Sequence, residues 1–357
     1  MEIYAILDLI NKEVLNMGMV KIFINKFKEI DTKRLNMLAE KIAEKNNKSV
    51  SYVKRDMIKN FLKYKIGYTD YFKSDYINLT EERKKEFLTS KNFINVIAYL
   101  NPRRYRIITL DKIVFNNIMK DYLKRDYLDL RVATEQDIKK FLKGKTTVFA
   151  KPPTDFGGHN IEKISVKDIK DVKKLHKELL KNKQFLLEEG IVQHKLVQQI
   201  NPYAVNALRL ITLLKDGKAH IIGNTFRIGL DENHAIQCRD TYMRLHEDGT
   251  PACKFVDDDG ITYDKHPLTG FDFNSIKKIP YVPEAIEMVK EAALLIPDLR
   301  YIGWDVAITE DGPSIIEGNE LPSYGLIQNH MLNPDNPGHL KQIRDVIGEE
   351  EFKNIKL

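Results

Sequence analysis

The chain has 357 residues, enough for two domains or for one large α/β unit with an appendage. Its hydrophobic content of 43% and charged content of 30% are those of an ordinary globular protein. The formal net charge of +6 suits an anionic ligand, but it is too small for a chain of this length to indicate nucleic-acid binding by itself.

Cysteine usage and the N-terminal segment bear on the cellular compartment. The two cysteines, Cys238 and Cys253, belong to no metal-ligand spacing and give no disulfide framework, so a reducing compartment is expected. Asp8, Lys12 and Glu13 interrupt the apolar N-terminal run, which leaves no signal-peptide core. No uncharged stretch is long enough to span a bilayer, so we expect a cytoplasmic protein without a membrane span.

Residues 1–105 have helical patterns. KRLNMLAEKIAEKNN and TEERKKEFLTSKNFINVIAYL carry apolar residues at three- and four-residue spacing, and Thr80 is a candidate helix start. Lysines alternate here with aromatic residues, a mixture that can bind nucleic acid. An amphipathic helical domain with solvated lysines is the more economical interpretation. We therefore predict a helical N-terminal domain over 1–105.

After residue 105 the patterns change to mixed helix and strand. Asp111 stands near the start of a helix that follows a strand or loop end. Short β-rich runs flank the helical KDIKDVKKLHKELLKNK, and two longer runs are joined at Asp216-Gly217, a strong hairpin signal. The 231–280 region is rich in loops, VPEAIEMVKEAALLIP predicts an amphipathic helix that ends before Pro297, and residues 336–357 predict a charged helical tail.

The stretch YIGWDVAITEDGPSIIEGNELP, residues 301–322, predicts a hairpin with a three-residue loop at Glu310-Asp311-Gly312 and with Thr309 opposite Pro313. Asp305 would then face Glu317, with Asn319 on the same face. Opposed carboxylates are destabilising unless something neutralises them, and Mg²⁺ prefers such oxygen ligands. The alternative is an exposed sheet with solvated acids, but the apolar neighbours favour a partly buried metal site.

Three further signals are weak when each is taken alone. Lys151 ends a β-run before a loop with Gly157 and Gly158, a combination that can approach phosphate, although paired glycines are more often a plain turn. The run QFLLEEGI could offer backbone groups to a purine edge or simply be a strand leaving a core. Arg209 and Arg227, in the long hairpin, need an anion, which is equally well a structural carboxylate or a phosphate.

The order of these features resembles the ATP-grasp superfamily. Residues 110–330 resemble the sugar-transfer-associated ATP-grasp group linked to polysaccharide biosynthesis, through EEGIVQH, NALRLITLLKDG, HPLTGF and above all LRYIGWDVAITEDGPSIIEGNELPSYGLIQ. The resemblance implies an α+β fold in which two subdomains clasp ATP between antiparallel sheets. It places the ATP-grasp domain at 106–335, with the smaller, ATP-covering subdomain at about 145–195.

The resemblance also implies roles for individual residues. Lys112 and Lys151 match the lysines that contact ATP phosphates, and Gly157 and Gly158 match the mobile loop that covers them. The match to the adenine hinge comprises Glu188, Glu189 and Ile191, with His194 near the ribose. The match to the Mg²⁺ ligands comprises Asp305, Glu317 and Asn319, and the match to the arginines at the γ-phosphate or acyl phosphate comprises Arg209 and Arg227.

In enzymes of this kind a carboxylate attacks the γ-phosphate of ATP, and an amine then displaces phosphate from the acyl phosphate. The expected activity is a carboxylate–amine ligase that forms a carbon–nitrogen bond on a cell-surface glycan or its precursor, with ATP and Mg²⁺ as cofactors and oligomerisation left open. A phosphotransferase acting on a hydroxyl would show the same ATP site. A non-enzymatic module that binds an anionic polymer is a third alternative.

Two departures from the family pattern limit what can be carried over. Relatives often have an asparagine followed by two glycines after the arginine hairpin, whereas this chain reads IQCRDTYMRLHEDG, so the acceptor substrate stays open. Many ATP-grasp enzymes begin with a Rossmann-like domain, but the N-terminal patterns here have no βαβ rhythm.

Overall fold

The computed structural model describes residues 32–154, 160–231, 240–335 and 338–357. The N-terminal segment with Asp8, Lys12 and Glu13 lies outside these ranges, as do Gly157, Gly158 and Cys238. Among the residues in these ranges, no helix is both long enough and apolar enough to cross a bilayer.

Helices dominate residues 32–100 and recur through the rest of the described chain. Those of the N-terminal region are α1 (Thr32–Lys45), α2 (Val50–Tyr64), α3 (Tyr68–Lys73), α4 (Glu81–Lys84) and α5 (Ser90–Leu100). They are followed by α6 (Ile107–Leu110), α7 (Lys112–Ile118), α8 (Lys120–Leu123), α9 (Glu135–Leu142), α10 (Val172–Lys181) and α11 (Lys195–Ile200). The last are α12 (Val282–Leu294), α13 (Tyr324–Ile327), α14 (His339–Ile347) and α15 (Glu349–Phe352).

The strands form two antiparallel sheets. The smaller sheet has the order β1-β4-β2-β3 and consists of β1 (Tyr127–Asp129), β2 (Thr147–Lys151), β3 (Glu162–Ser165) and β4 (Leu186–Glu189). The larger sheet has the order β11-β10-β5-β6-β7-β8-β9. Its strands are β5 (Ala207–Lys215), β6 (Lys218–Gly229), β7 (Asp240–Arg244), β8 (Phe255–Asp257), β9 (Thr262–Tyr263), β10 (Tyr301–Thr309) and β11 (Gly312–Asn319).

Local sequence signals account for many element boundaries. Asp111 caps α7, and its carboxylate accepts hydrogen bonds from the backbone amides of Ile113 and Val114. Thr80 caps α4 as predicted, but this helix ends at Lys84 and α5 begins only at Ser90, so the single predicted helix is two. The segment before Asp111 is the short helix α6 rather than a strand, and the predicted loop region 231–280 contributes the three short strands β7, β8 and β9 at one side of the larger sheet.

The β5–β6 hairpin turns at Asp216-Gly217, as predicted. Lys215 pairs with Lys218, and Asp216 and Gly217 adopt φ values of 48° and 71°. Two consecutive left-handed residues form the turn whose twist matches that of the flanking strands.

The β10–β11 hairpin differs in register from the prediction. Thr309 lies opposite Gly312 rather than Pro313, and Gly312 has a positive φ of 106°. The register then shifts by one residue between Val306 and Asp305. Val306 pairs with Ile315 and Asp305 with Glu317, so Ile316 is an extra, unpaired residue in β11. This β-bulge restores the predicted pairing of Asp305 with Glu317.

The two faces of the larger sheet have different partners. One face packs against α12 through a large core that includes Leu208, Leu210, Trp304 and Val306. Alternation along β5 and β10 puts Ile211, Leu213 and Tyr301 on the opposite face, in a cluster with α5 and the C-terminal helices (Leu100, Leu340, Ile343, Ile347 and Ile355). Farther along the same strands, this second face carries the polar residues Arg209 and Asp305.

The smaller sheet has its own core against α9 and α10. Val148, Ala150 and Leu187 from its strands meet Ile138 and Phe141 of α9, and Leu179 of α10 completes the cluster. The thin, separate core is that of a small α+β unit beside the larger one. The domain limits at 105 and 336 stay a prediction, and α5 shares its core with the larger sheet.

The N-terminal helices hold an acidic loop between β8 and β9. Arg34 pairs with Asp259 at 2.9 Å, Lys41 donates to the Asp259 carbonyl at 2.7 Å, and Lys73 pairs with Asp258 at 2.6 Å. Aromatic residues of the same region pack into the helical core, with Tyr71 only 1% exposed. Since the aromatic side chains of this core are not displayed for base stacking, the structural interpretation of the basic–aromatic pattern is favoured.

A buried histidine in α14 makes the fold sensitive to acid. His339 is fully buried, contacts the Tyr301 hydroxyl through Nε2 and Gln342 Oε1 through Nδ1, and burial lowers its pKa to about 4. In the unfolded chain the pKa is ordinary, about 6.5, so the contribution is fully present above pH 6.5 and is lost as pH falls toward 4. We expect a loss of about 2 kcal/mol between pH 7 and pH 5 from this group.

Urea unfolding of the wild-type chain and of His339→Asn at pH 7 and pH 5 measures this contribution. The wild-type midpoint should fall more steeply with acid than that of the variant, since the other titrating groups are common to both. Equal pH dependence of the two chains would contradict the assignment.

Candidate functional site

Three oxygen-bearing side chains meet at the end of the β10–β11 hairpin. Asp305 pairs with Glu317 across the ladder, and the Asn319 amide donates to Glu317 Oε1 at 3.3 Å. Asp305 is 6% exposed. The bulge at Ile316 is what brings Glu317 onto the face of Asp305, because without it alternation along β11 would be out of phase with β10.

Arg209 in β5 completes this cluster from the other side of β10. It lies directly opposite Asp305, with Nη2 donating to Oδ2 at 2.9 Å and Nε 2.8 Å from Oδ1. The contact between Arg209 Nε and Asp305 Oδ1 is an ion pair whose angles are not those of a hydrogen bond. Within the described residues, Asp305 Oδ1 therefore accepts no hydrogen bond. Burial raises the pKa of Asp305 to about 6, Arg209 opposes that rise, and Glu317 adds to it.

Arg227 in β6 is held by a carboxylate in the neighbouring strand. Its Nε and Nη2 both donate to Asp240 Oδ2, at 2.9 and 2.6 Å. Burial acts to lower the pKa of Arg227, but Asp240 and the more distant Asp305 keep it above its ordinary value. Because Ala207 lies opposite Arg227 and Thr225 opposite Arg209, the two arginines are diagonal neighbours, as the hairpin predicts, and each has a structural carboxylate partner.

Close packing positions α7, and with it Lys112, beside the hairpin. A Cβ on Gly318 would lie 2.8 Å from the Phe115 ring, so only glycine leaves room for this ring against β11. The backbone amide of Lys112 donates to the Pro153 carbonyl at 2.8 Å, immediately after β2. Lys112, the first residue of α7, is thereby placed between residues 317–319 of β11 and the loop that follows Lys151.

Lys151 and Glu188 form a buried ion pair in the smaller sheet. Lys151 is the last residue of β2, and its Nζ contacts Glu188 Oε2 across the β2–β4 ladder. Asn116 in α7 donates to Glu188 Oε1 at 2.7 Å, and Arg125 lies 3.2 Å from the same oxygen. Burial acts to raise the pKa of Glu188, but the two cations and the hydrogen bonds hold it well below its usual range.

The predicted adenine hinge comprises the last two residues of β4, Glu188 and Glu189, and Ile191 just beyond it. The amide of Glu189 donates to the Asp126 carbonyl at 2.9 Å and that of Gly190 to the Thr147 carbonyl at 3.1 Å, so both are used within the smaller sheet. Ile191 comes after these bonds, where the strand has ended. His194 caps α11 through Nδ1, its amide donates to the Ile308 carbonyl at 2.7 Å, and its Nε2 is 3.7 Å from Glu310.

Sequence reasoning missed two residues of this cluster, Arg125 and Asn116. Both are buried and bond Glu188, and Arg125 also reaches the larger sheet. Arg125 lies in the charged run KDYLKRDYLDL, where nothing separates it from the solvated lysines beside it. Asn116 is a polar position on the buried face of α7, a signal that could have been read.

The carboxylate pair fits a divalent cation. The described residues contain no group of three or more histidine, cysteine, aspartate or glutamate side chains arranged for a metal, so any ligand set here needs the Asn319 oxygen as well. The two opposed carboxylates, with the Asn319 side chain beside Glu317, form a hard-oxygen set of the kind that Mg²⁺ takes.

Comparison with known proteins agrees with this architecture. The model of the sugar-transfer associated ATP-grasp family matches residues 93–335. No curated protein matches the chain. Solved structures with a similar fold include PsnB, described as an ATP-grasp ligase complexed with minimal precursor, which is 15% identical with a TM-score of 0.39; the alignment covers 63% of this chain and 57% of PsnB.

Two further solved structures are similar at the same level. The L-amino acid ligase from Bacillus licheniformis is 12% identical with a TM-score of 0.42, over 71% of this chain and 52% of that one. The D-alanine–D-alanine ligase from Bacillus anthracis is 12% identical with a TM-score of 0.40, over 76% of this chain and 78% of that one. Since the family model spans more than half of the sequence and includes both sheets, the chain belongs to the sugar-transfer associated ATP-grasp family.

Proposed function

We propose that this protein is an ATP-dependent carboxylate–amine ligase that acts through an acyl phosphate. The observation that carries the proposal is the opposed pair Asp305 and Glu317 on one face of the hairpin, with Arg209 beside them and Lys112 and Lys151 on the facing segments. A buried carboxylate paired with a half-buried one, next to cations, is suited to bind a metal–triphosphate complex.

The roles proposed for the residues are those that the resemblance to ATP-grasp enzymes implies. Asp305, Glu317 and Asn319 would hold Mg²⁺, which would neutralise charge on the phosphate oxygens. Lys112 and Lys151 would contact the phosphates from the opposite segments, with Gly157 and Gly158 in the loop that covers them. Adenine would lie at Glu188, Glu189 and Ile191, with the ribose near His194.

Arg209 and Arg227 would stabilise the charge that develops during transfer. A substrate carboxylate oxygen would attack the γ-phosphorus, the bond to ADP would break, and an acyl phosphate would form. An amine nitrogen would then attack the acyl carbon, lose a proton and displace inorganic phosphate, leaving an amide. Each arginine is already held by a carboxylate, Asp305 or Asp240, so its position costs little reorganisation at the moment of reaction.

The substrate carboxylate is proposed to belong to a cell-surface polysaccharide or its precursor, and the amine to be an amino acid or a simple amine. The family description, sugar-transfer associated, supports the carbohydrate side. The amine is proposed as a class only, because the second half of the reaction requires a nitrogen nucleophile, and a panel of amines identifies it.

ADP and phosphate release in the presence of Mg²⁺-ATP, uronic acids and amino acids tests the proposal. We expect release that requires the carboxylate and increases with the amine, with an amide product by mass spectrometry. A stable phosphorylated product formed without amine would indicate a phosphotransferase instead and would contradict the ligase.

A further inference from the structure

Arg125 is a buried arginine that touches both sheets. It follows α8 and precedes β1, and its side chain is 4% exposed. Burial of a guanidinium is unfavourable unless nearly all of its donors are used, so its partners show what it holds in place.

On the larger sheet, Arg125 meets the bulge in β11. Nη1 donates to the Ile315 carbonyl at 2.5 Å and Nη2 to the Ile316 carbonyl at 3.1 Å. Ile316 is the extra residue of the bulge, and the following residue is Glu317. A bulge disrupts the ladder locally, and donation to both carbonyls satisfies backbone groups at the point where pairing is irregular.

On the smaller sheet, the same Nη2 reaches Glu188 Oε1 at 3.2 Å. Glu188 also pairs with Lys151, so two cations share one buried carboxylate. Arg125, Lys151 and Glu188 therefore carry a net charge of +1 together. Without Arg125 the pair would become neutral, and Lys151 would be held by Glu188 alone.

We propose that Arg125 is a positioning residue that couples the two halves of the nucleotide site: it fixes the bulge that orients Glu317, and it shares Glu188 so that this carboxylate does not fully cancel the positive charge that Lys151 offers to phosphate. The proposal rests on the proposed function. Arginine is required because one planar guanidinium reaches acceptors on two sheets, whereas a lysine ammonium is a point donor.

Arg125→Lys, Arg125→Met and the matched control Arg131→Met test it. Arg131 lies just after β1, is 44% exposed in its side chain and pairs with the nearby Asp129. Three quantities are measured. They are the dissociation constant of ADP without metal, the Mg²⁺ concentration at which half of the Mg²⁺-dependent decrease in that constant is reached, and the unfolding temperature.

The proposal predicts at least a tenfold rise in the half-saturating Mg²⁺ concentration for Arg125→Lys, measured below its unfolding temperature, and an equal or larger rise for Arg125→Met. The reason is that metal binding needs Glu317 in register, and a lysine in place of Arg125 would keep the charge but lose the two-sheet geometry. ADP binding without metal should also weaken, through Lys151. Arg131→Met should bind as the wild type does.

An unchanged Mg²⁺ requirement in Arg125→Lys, with wild-type ADP binding and only a lower unfolding temperature, would overturn the coupling role and leave a purely structural residue. Absence of Mg²⁺-dependent ADP binding in the wild-type chain is a different outcome. It would overturn the proposed function, and the coupling with it.

Discussion

Replacement of Glu317 by alanine is expected to lower Mg²⁺-dependent ATP turnover by about a thousandfold, the scale of losing one group that stabilises developing charge. The variant should nevertheless be as stable as the wild type or more so, because it removes one of two opposed carboxylates, Asp305 and Glu317. Activity and thermal stability measured on the same preparation separate a lost ligand from a lost fold.

The matched control is Asp311→Ala, since Asp311 is an exposed acid at the turn of the same hairpin. It should retain turnover within about twofold, the scale of a surface change away from the site. Turnover by the Glu317 variant within tenfold of the wild type would remove the main support for a metal site at this hairpin.

Replacement of Gly318 by valine is expected to destabilise the protein by about 3 kcal/mol through overpacking. A Cβ at this position would already lie 2.8 Å from the Phe115 ring and 3.5 Å from Trp304, and valine adds two methyl groups to it. Trp304 is the only tryptophan and is fully buried, so its fluorescence during chemical denaturation measures the change.

A second substitution that makes room for the added side chain tests the same contact more specifically. Phe115→Leu shortens the ring side chain that faces Gly318, so Gly318→Ala should be less damaging in that background than in the wild type. Gly67→Ala is the control, because a Cβ there finds only the Asp70 carboxylate, at 4.0 Å. Additive effects of the two changes would show that Phe115 is not what excludes a side chain at 318.

The sequence predicted the hairpin at 301–322 and the face shared by its acids because alternation and turn chemistry are local properties. It erred by one position at Pro313, and the bulge at Ile316 corrected the pairing at Asp305. A bulge cannot be read from alternation alone, and Arg125, which donates a hydrogen bond at this bulge, is 190 residues away in the chain. Hydrogen bonds between residues so far apart in the chain produce no recognisable pattern of residue spacing in the sequence.

For the same reason, the sequence could not identify the carboxylates that pair with the arginines. A phosphate and a structural acid were equally compatible with Arg209 and Arg227, and the structure has Asp305 and Asp240 beside them. Asp240 lies in the short strand β7, within a region that was predicted as loop. Gly157 and Gly158 lie outside the described residues, so their assignment to the phosphate-covering loop stays a prediction.

The shared core behind the larger sheet bears on how a fragment of this protein should be designed. A chain starting at residue 106 would contain every proposed nucleotide-binding residue, yet it would lack Leu88, Val96, Ile97 and Leu100, which cover Ile211, Leu213 and Tyr301. Those three side chains are at most 1% exposed and would lose the part of their cover that these four residues supply, which favours aggregation. The family match begins at residue 93, inside that covering helix. Deletion experiments that ask what the N-terminal helices bind should therefore begin no later than Leu88.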